Sequence, residues 1–143
     1  MNKMIGVLAL QGAYQKHIDI LQTSGLSACI VRQPCQLENC SALIIPGGES
    51  TTISLLIQEG GLYEPVKTFA EKHPVMGVCA GMILMATEVD DDRVRPLGLM
   101  PCQAIRNHHG RQVHSFTADV TLNFDRSRKF HAPLICSPEI YIL

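Results

Sequence analysis

The chain contains no tryptophan, and only three tyrosines and four phenylalanines among its 143 residues. Its core must therefore be built from aliphatic side chains, and it lacks the interleaved aromatics on which bases stack. Charge is also sparse. Charged residues make up 17% of the chain, the net value is −1, and lysines and arginines nowhere form a run. This excludes the electrostatic footprint of a nucleic-acid binder and the polybasic patch of a membrane-surface protein. No apolar run is long enough to span a bilayer. The opening stretch from Met4 to Leu10 is too short, has no small-residue cleavage pattern, and reads as a strand. The six cysteines include no Cys-x-x-Cys pair, and with no secretory signal they read as reduced thiols in a cytoplasmic protein. Repeats, low-complexity tracts and linkers are missing too, so the expectation is a single domain over residues 1–143.

What is present is hydrophobicity (46% of residues) arranged as strands alternating with helices. Ile5 to Leu10 is a continuous apolar run suited to a strand buried on both faces. Ala13 to Thr23 then has helical spacing, with Tyr14, Ile18 and Leu21 on one face, His17 at its edge, and Ser24-Gly25 as a stop. Ala28 to Val31 and Leu43 to Ile45 are two further short strands. Ile53 to Gln58 and Leu62 to Lys72 read as helices, the second with Pro65 in its first turn. Val75 to Val78 reads as a strand and Ala80 to Glu88 as a helix. The alternation predicts an α/β fold: a mostly parallel, doubly wound sheet of flavodoxin-like or Rossmann-like kind, with helices on both faces and sites at the carboxyl ends of strands. After Asp90-Asp91-Asp92 the character changes. Cys102 to Arg106, Gln112 to Ser115, Ala118 to Leu122 and Phe130 to Cys136 read as antiparallel or mixed strands added to the core, and the apolar, β-prone run Ile140 to Leu143 follows.

Two loops could carry chemistry. Gly77-Val78-Cys79-Ala80-Gly81 has the form of a nucleophile elbow, in which small neighbours let a strand turn sharply into a helix with the cysteine exposed at the turn. The helix start then favours thiolate over thiol. A buried cysteine in an ordinary strand–helix turn fits the same residues. Pro46-Gly47-Gly48-Glu49-Ser50-Thr51-Thr52 also joins a strand to a helix. Its paired glycines leave backbone N–H groups uncovered, as an oxyanion hole requires, with Ser50 or Thr51 as helix cap. A plain capped turn fits this loop equally. A phosphate loop does not, because the Gly-x-x-x-x-Gly-Lys spacing is missing. His108, His109 and His114 lie close in sequence to Cys102 and Arg106, but without convincing metal-ligand spacing. No metal and no cofactor are expected. His73 and His131 read as structural or surface residues. Both glycine-bearing loops follow strands, so both should open on one sheet edge, where a donor loop beside a thiol suits acyl transfer through a thioester.

Four segments together carry a resemblance: Gly6-Val7-Leu8-Ala9-Leu10-Gln11-Gly12-Ala13, the Pro46 to Thr52 loop, Gly77-Val78-Cys79-Ala80-Gly81-Met82, and Arg106 to Val113. In this order the chain closely resembles the glutaminase subunits of pyridoxal 5′-phosphate (vitamin B6) synthases, a family of class I, triad-type glutamine amidotransferases. The resemblance implies hydrolysis of L-glutamine to glutamate and ammonia. It also implies delivery of the ammonia to a (β/α)₈-barrel synthase subunit in a large hetero-oligomer. On this family pattern Cys79 is the nucleophile, and Gly48 and the amide of Ala80 hold the oxyanion. Gly48, Glu49, Ser50, Arg106 and the backbone around Ile135 contact glutamine, while Gln11 and His17 face the synthase and couple docking to the site.

The chain departs from the family in one place. A His-Pro-Glu segment that would complete the triad is not in the sequence. Ser137-Pro138-Glu139 is the nearest string, but Phe130 to Pro138 aligns better with an earlier family strand, on which Cys136 replaces a substrate-side arginine. The resemblance thus implies a chain lacking the C-terminal part of the family domain. Loss of a triad base typically lowers turnover on the order of 10⁴- to 10⁶-fold. The alternative to an active glutaminase is accordingly a subunit that binds its partner or glutamine without hydrolysing it. A stand-alone thiol redox protein using Cys79 is a third reading.

Overall fold

Four short apolar runs pair side by side as the parallel sheet at the centre of the molecule. The structure, a computed structural model, describes residues 4–106, 116–134 and 138–143. The strands are β1 (Met4–Leu8), β2 (Ala28–Val31), β3 (Cys40–Ile45) and β4 (Val75–Gly77), in the order β2-β1-β3-β4. Each neighbouring pair is parallel. Val7, Leu8, Val31, Leu43 and Ile45 are fully buried, as expected for strands covered on both faces. The connections are α1 (Tyr14–Thr23), a 3₁₀ turn (Pro34–Asn39), and α2 (Ser50–Glu59) with α3 (Tyr63–Ala70). From β1 the chain moves outward to β2, and from β3 outward in the opposite direction to β4. Right-handed crossovers therefore put α1 on one face and α2 with α3 on the other. The strand order reverses between β1 and β3. The carboxyl ends there are the crevice in which open α/β sheets bind ligands.

Gly6 in β1 is required by what flanks it. A methyl group on Gly6 would meet the Cys40 sulfur at 2.8 Å and Val31 Cγ2 at 2.9 Å. The sulfurs of Cys29 and Cys40 approach to 3.5 Å. Because β1 runs between their strands, their backbones are about two strand spacings, roughly 9 Å, apart, too far for a disulfide. Burial, reinforced by Cys29, pushes the Cys40 thiol up to about 12. Gly6→Ala is expected to destabilise the fold by about 1–3 kcal/mol through overpacking, read as a lowered urea midpoint with an unchanged slope.

Several boundaries differ from the sequence expectations. The helix after the elbow, α4 (Ala80–Met85), stops three residues early, and β5 (Ala86–Val89) follows. The segment 97–99 accounts for this. Leu97, Leu99 and Gly98 donate backbone N–H groups to the carbonyls of Leu84, Met85 and Ala86 at 2.7, 2.9 and 3.1 Å, which ends the helix. The later strands do not extend the parallel sheet. β5 pairs in parallel with β6 (Met100–Ile105), and β6 pairs antiparallel with β9 (Glu139–Ile142), making a separate three-stranded sheet. β7 (Phe116–Leu122) and β8 (Asp125–Leu134) form a two-stranded hairpin in which Pro133 sits opposite Thr117. A hairpin strand has an outer edge, so proline is tolerated there. The expected strand from Gln112 to Ser115 lies outside the described residues, as do Ile135 and Cys136.

Candidate active site

Cys79 follows β4 directly and is the N-cap of α4, with φ 49° and ψ −105°. Among the described residues it is the one non-glycine residue with positive φ. A cysteine held in that region costs on the order of 1–3 kcal/mol, and the surrounding structure must impose it. Its two flanking glycines show how. A methyl group on Gly77 would lie 2.6 Å from the carbonyl of Gly81, so the turn closes on itself. A methyl group on Gly81 would overlap the Ile45 carbonyl oxygen and stand 2.7 Å from its carbon, so the start of α4 lies directly against β3. The backbone N–H of Gly81 donates to Val78 at 2.9 Å, and that of Ile83 to Cys79 at 3.1 Å.

The glycine loop lies against this elbow. A methyl group on Gly47 would touch the Cys79 Cβ at 3.7 Å and the Val78 oxygen at 3.6 Å. In the sequence Gly47 reads only as one of the loop's paired glycines; the structure makes it the one that lies beside the thiol-bearing carbon. The loop after β1 is sewn to the same loop. The Ala13 N–H donates to the Gly47 carbonyl at 2.9 Å, and the Glu49 N–H donates to Gln11 Oε1 at 2.9 Å. Glu49, not Ser50 or Thr51, is the N-cap of α2, and it makes no side-chain capping hydrogen bond. The Thr51 hydroxyl turns back instead to Glu49 Oε1 at 3.1 Å. Ser50 is buried in the first turn of α2.

Arg106 comes from the other sheet, immediately after β6. Its Nη2 reaches Glu49 Oε1 at 3.1 Å, and its Nη1 pairs with Asp91. This is the contact that joins the two sheets at the site. Gln11, Gly48, Glu49, Cys79, Ala80 and Arg106 thus converge on the carboxyl ends of β1, β3 and β4. His17 is half-buried on α1, and burial lowers its pKa below the ordinary imidazole value. Ile135, His108, His109 and His114 lie outside the described residues. No group of three or more metal-ligating side chains occurs among the described residues, and none of their helices is long and apolar enough to cross a membrane.

A strained cysteine thus ends a parallel strand beside a glycine loop, and the α/β fold that carries it is that of a glutamine amidotransferase domain. A crystal structure described as a glutamine amidotransferase superimposes with a TM-score of 0.84 at 39% identity, covering 94% of this chain and 71% of that one. The chain belongs to the SNO glutamine amidotransferase family, whose model matches residues 7–143. It is 48% identical over 137 residues to the pyridoxal 5′-phosphate synthase subunit PdxT of Pelotomaculum thermopropionicum, covering 95% of this chain and 70% of that protein. To the subunit of the same name from Methanoregula boonei it is 45% identical over 144 residues, covering 95% and 73%.

Proposed function

We propose that this chain is the glutaminase subunit of a pyridoxal 5′-phosphate synthase, acting on L-glutamine through a γ-glutamyl thioester at Cys79. The observation that carries the reading is the Glu49–Arg106 pair at 3.1 Å at the glycine loop that lies beside Cys79. An amino-acid zwitterion presents a carboxylate and an ammonium group on one carbon. An adjacent guanidinium and carboxylate match them, and the guanidinium can hold the substrate carboxylate by two parallel hydrogen bonds. With the α-carbon fixed there, the side-chain amide extends toward the thiol.

The chemistry then follows from the groups at the elbow. The Cys79 sulfur attacks the amide carbon, and the oxygen charge that develops is met by the backbone N–H groups of Gly48 and Ala80. The C–N bond breaks, and nitrogen leaves as ammonia after gaining the proton that the Cys79 thiol gave up. Water cleaves the thioester, releasing glutamate and restoring the thiol. Gln11 ties the loop after β1 to the Glu49 amide, so a partner that touches Gln11 and His17 acts on the donor loop itself. That supports a synthase barrel as the docking partner and ammonia acceptor, in a hetero-oligomer. Scattered cysteines with no Cys-x-x-Cys pair support a cytoplasmic location.

A diazoketone analogue of glutamine, which alkylates a thiol without an ammonia-release step, tests the reading directly. Intact mass should show one adduct, on Cys79, with glutamine protecting against it. Arg106→Met should slow labelling at low reagent by roughly 10- to 100-fold, the weight of a lost charge-assisted pair. Labelling that glutamine does not slow, or that spreads over the other cysteines, would leave a merely reactive thiol and defeat the assignment.

A further inference from the structure

Arg106 is a charged side chain only 13% exposed, and two carboxylates hold it. They differ in kind. Glu49 is 54% exposed and sits on the loop that faces the substrate. Asp91 is 15% exposed and lies in the segment between β5 and β6. Both Asp91 oxygens are committed. Oδ1 accepts from the Arg93 backbone N–H at 3.0 Å and from Arg93 Nε at 2.9 Å. Oδ2 accepts from Arg93 Nη2 at 2.7 Å and from Arg106 Nη1. The neighbouring Asp90 accepts the Arg106 backbone N–H at 2.9 Å. One turn therefore grips Arg106 by main chain and side chain together.

We infer that Asp91 is a positioning residue for substrate recognition, presetting the Arg106 guanidinium so that its Nη2 edge faces Glu49 and the incoming carboxylate. The inference rests on the glutamine reading of the site. A guanidinium already held in its bound orientation loses less freedom when it takes up a ligand. Arg93, 74% exposed, is the solvent-side partner of Asp91. With Arg106 it balances the two carboxylates Asp91 and Glu49, so the cluster is locally neutral, as a zwitterionic substrate requires. Hydrogen bonds from Arg93, with the Arg106 charge behind them, hold the Asp91 carboxyl well below the usual carboxylate range, so it is ionised wherever the enzyme is assayed.

The test is calorimetric titration of the full chain with L-glutamine in a Cys79→Ala background, which prevents turnover. Asp91→Asn should weaken binding roughly tenfold, as expected for losing one charge-assisted partner. Asp91→Glu, which keeps the charge, should recover most of that loss. The double variant Asp91→Asn/Arg106→Met should bind no more weakly than Arg106→Met alone, because Asp91 acts only through Arg106. Arg93→Ala, which loosens the turn but leaves the carboxylate, should stay within about threefold of the parent. Unchanged binding in Asp91→Asn would overturn the inference. So would additive losses in the double variant, or equal losses in Asp91→Asn and Arg93→Ala, since either would mean simple disruption of the turn. No glutamine binding by the parent would instead remove the glutamine reading, and this inference with it.

Discussion

Cys79→Ala is expected to abolish whatever glutamate release the chain shows when chain and variant are each assayed with the synthase subunit. The sulfur is the only atom at the elbow that can form the thioester, and the oxyanion donors alone leave only the small residual catalysis that a preorganised site gives without its nucleophile. Both proteins are measured in the same assembly, so whichever group serves as base is common to the two. A second variant separates chemistry from folding. Cys79 stands at φ 49°, a conformation that glycine adopts freely and other residues adopt at a cost. Cys79→Gly should therefore be equally inactive yet raise the melting temperature, with a gain of about 1 kcal/mol. Inactive and more stable is the signature of strain held for function. Glutamate release that survives either change would place the chemistry elsewhere in the chain. A lowered melting temperature for Cys79→Gly would mean that the elbow geometry is not a strained one.

The elbow was legible because its demands are local. Two glycines around one cysteine, after an apolar run, specify a sharp turn by sterics alone, and the structure places Gly77 and Gly81 where no methyl group fits. The parallel strands were legible for a similar reason, since the run from Ile5 to Leu10 is buried from Gly6 to Ala9, as a strand covered on both faces must be. What was not legible depended on partners far away in sequence. Ala86-Thr87-Glu88-Val89 suits a helix or a strand, and the decision came from residues 97–99, which take the last carbonyls of α4, and from pairing with β6. Asp91 likewise stood in the sequence only as part of Asp90-Asp91-Asp92, where the pattern of elements changes. Only the return of the chain to Arg106, fifteen residues later, gave it a role. Glu49 at the N-cap belongs with these, because Gln11, 38 residues away, takes the amide that a Ser50 or Thr51 cap would have organised differently.

Gly81→Ala is the substitution expected to damage the fold most. The added methyl group would overlap the Ile45 carbonyl oxygen, with Ile45 Cβ 3.1 Å away as well. Both obstacles belong to β3, an internal strand of the sheet, so neither can swing aside as the end of a long side chain could. Overpacking against backbone exceeds the ordinary core penalty, and the expected loss is about 3 kcal/mol or more. For a domain of this size that is a fall of roughly 10 °C or more in melting temperature. Gly47→Ala supplies the contrast. Its methyl group would meet the Cys79 Cβ and the Val78 oxygen at 3.7 and 3.6 Å, ordinary contact distances, and Gly47 has no positive φ. The fold should tolerate it within about 1 kcal/mol, while the methyl narrows the approach to the thiol and slows diazoketone labelling of Cys79. One glycine would then report on folding and the other on access to the nucleophile, with neither change touching the sulfur. If Gly81→Ala melts like the parent, the close approach of α4 to β3 is wrong. If Gly47→Ala labels at the parent rate, the glycine loop does not face the thiol, and the oxyanion hole must be built from other amides.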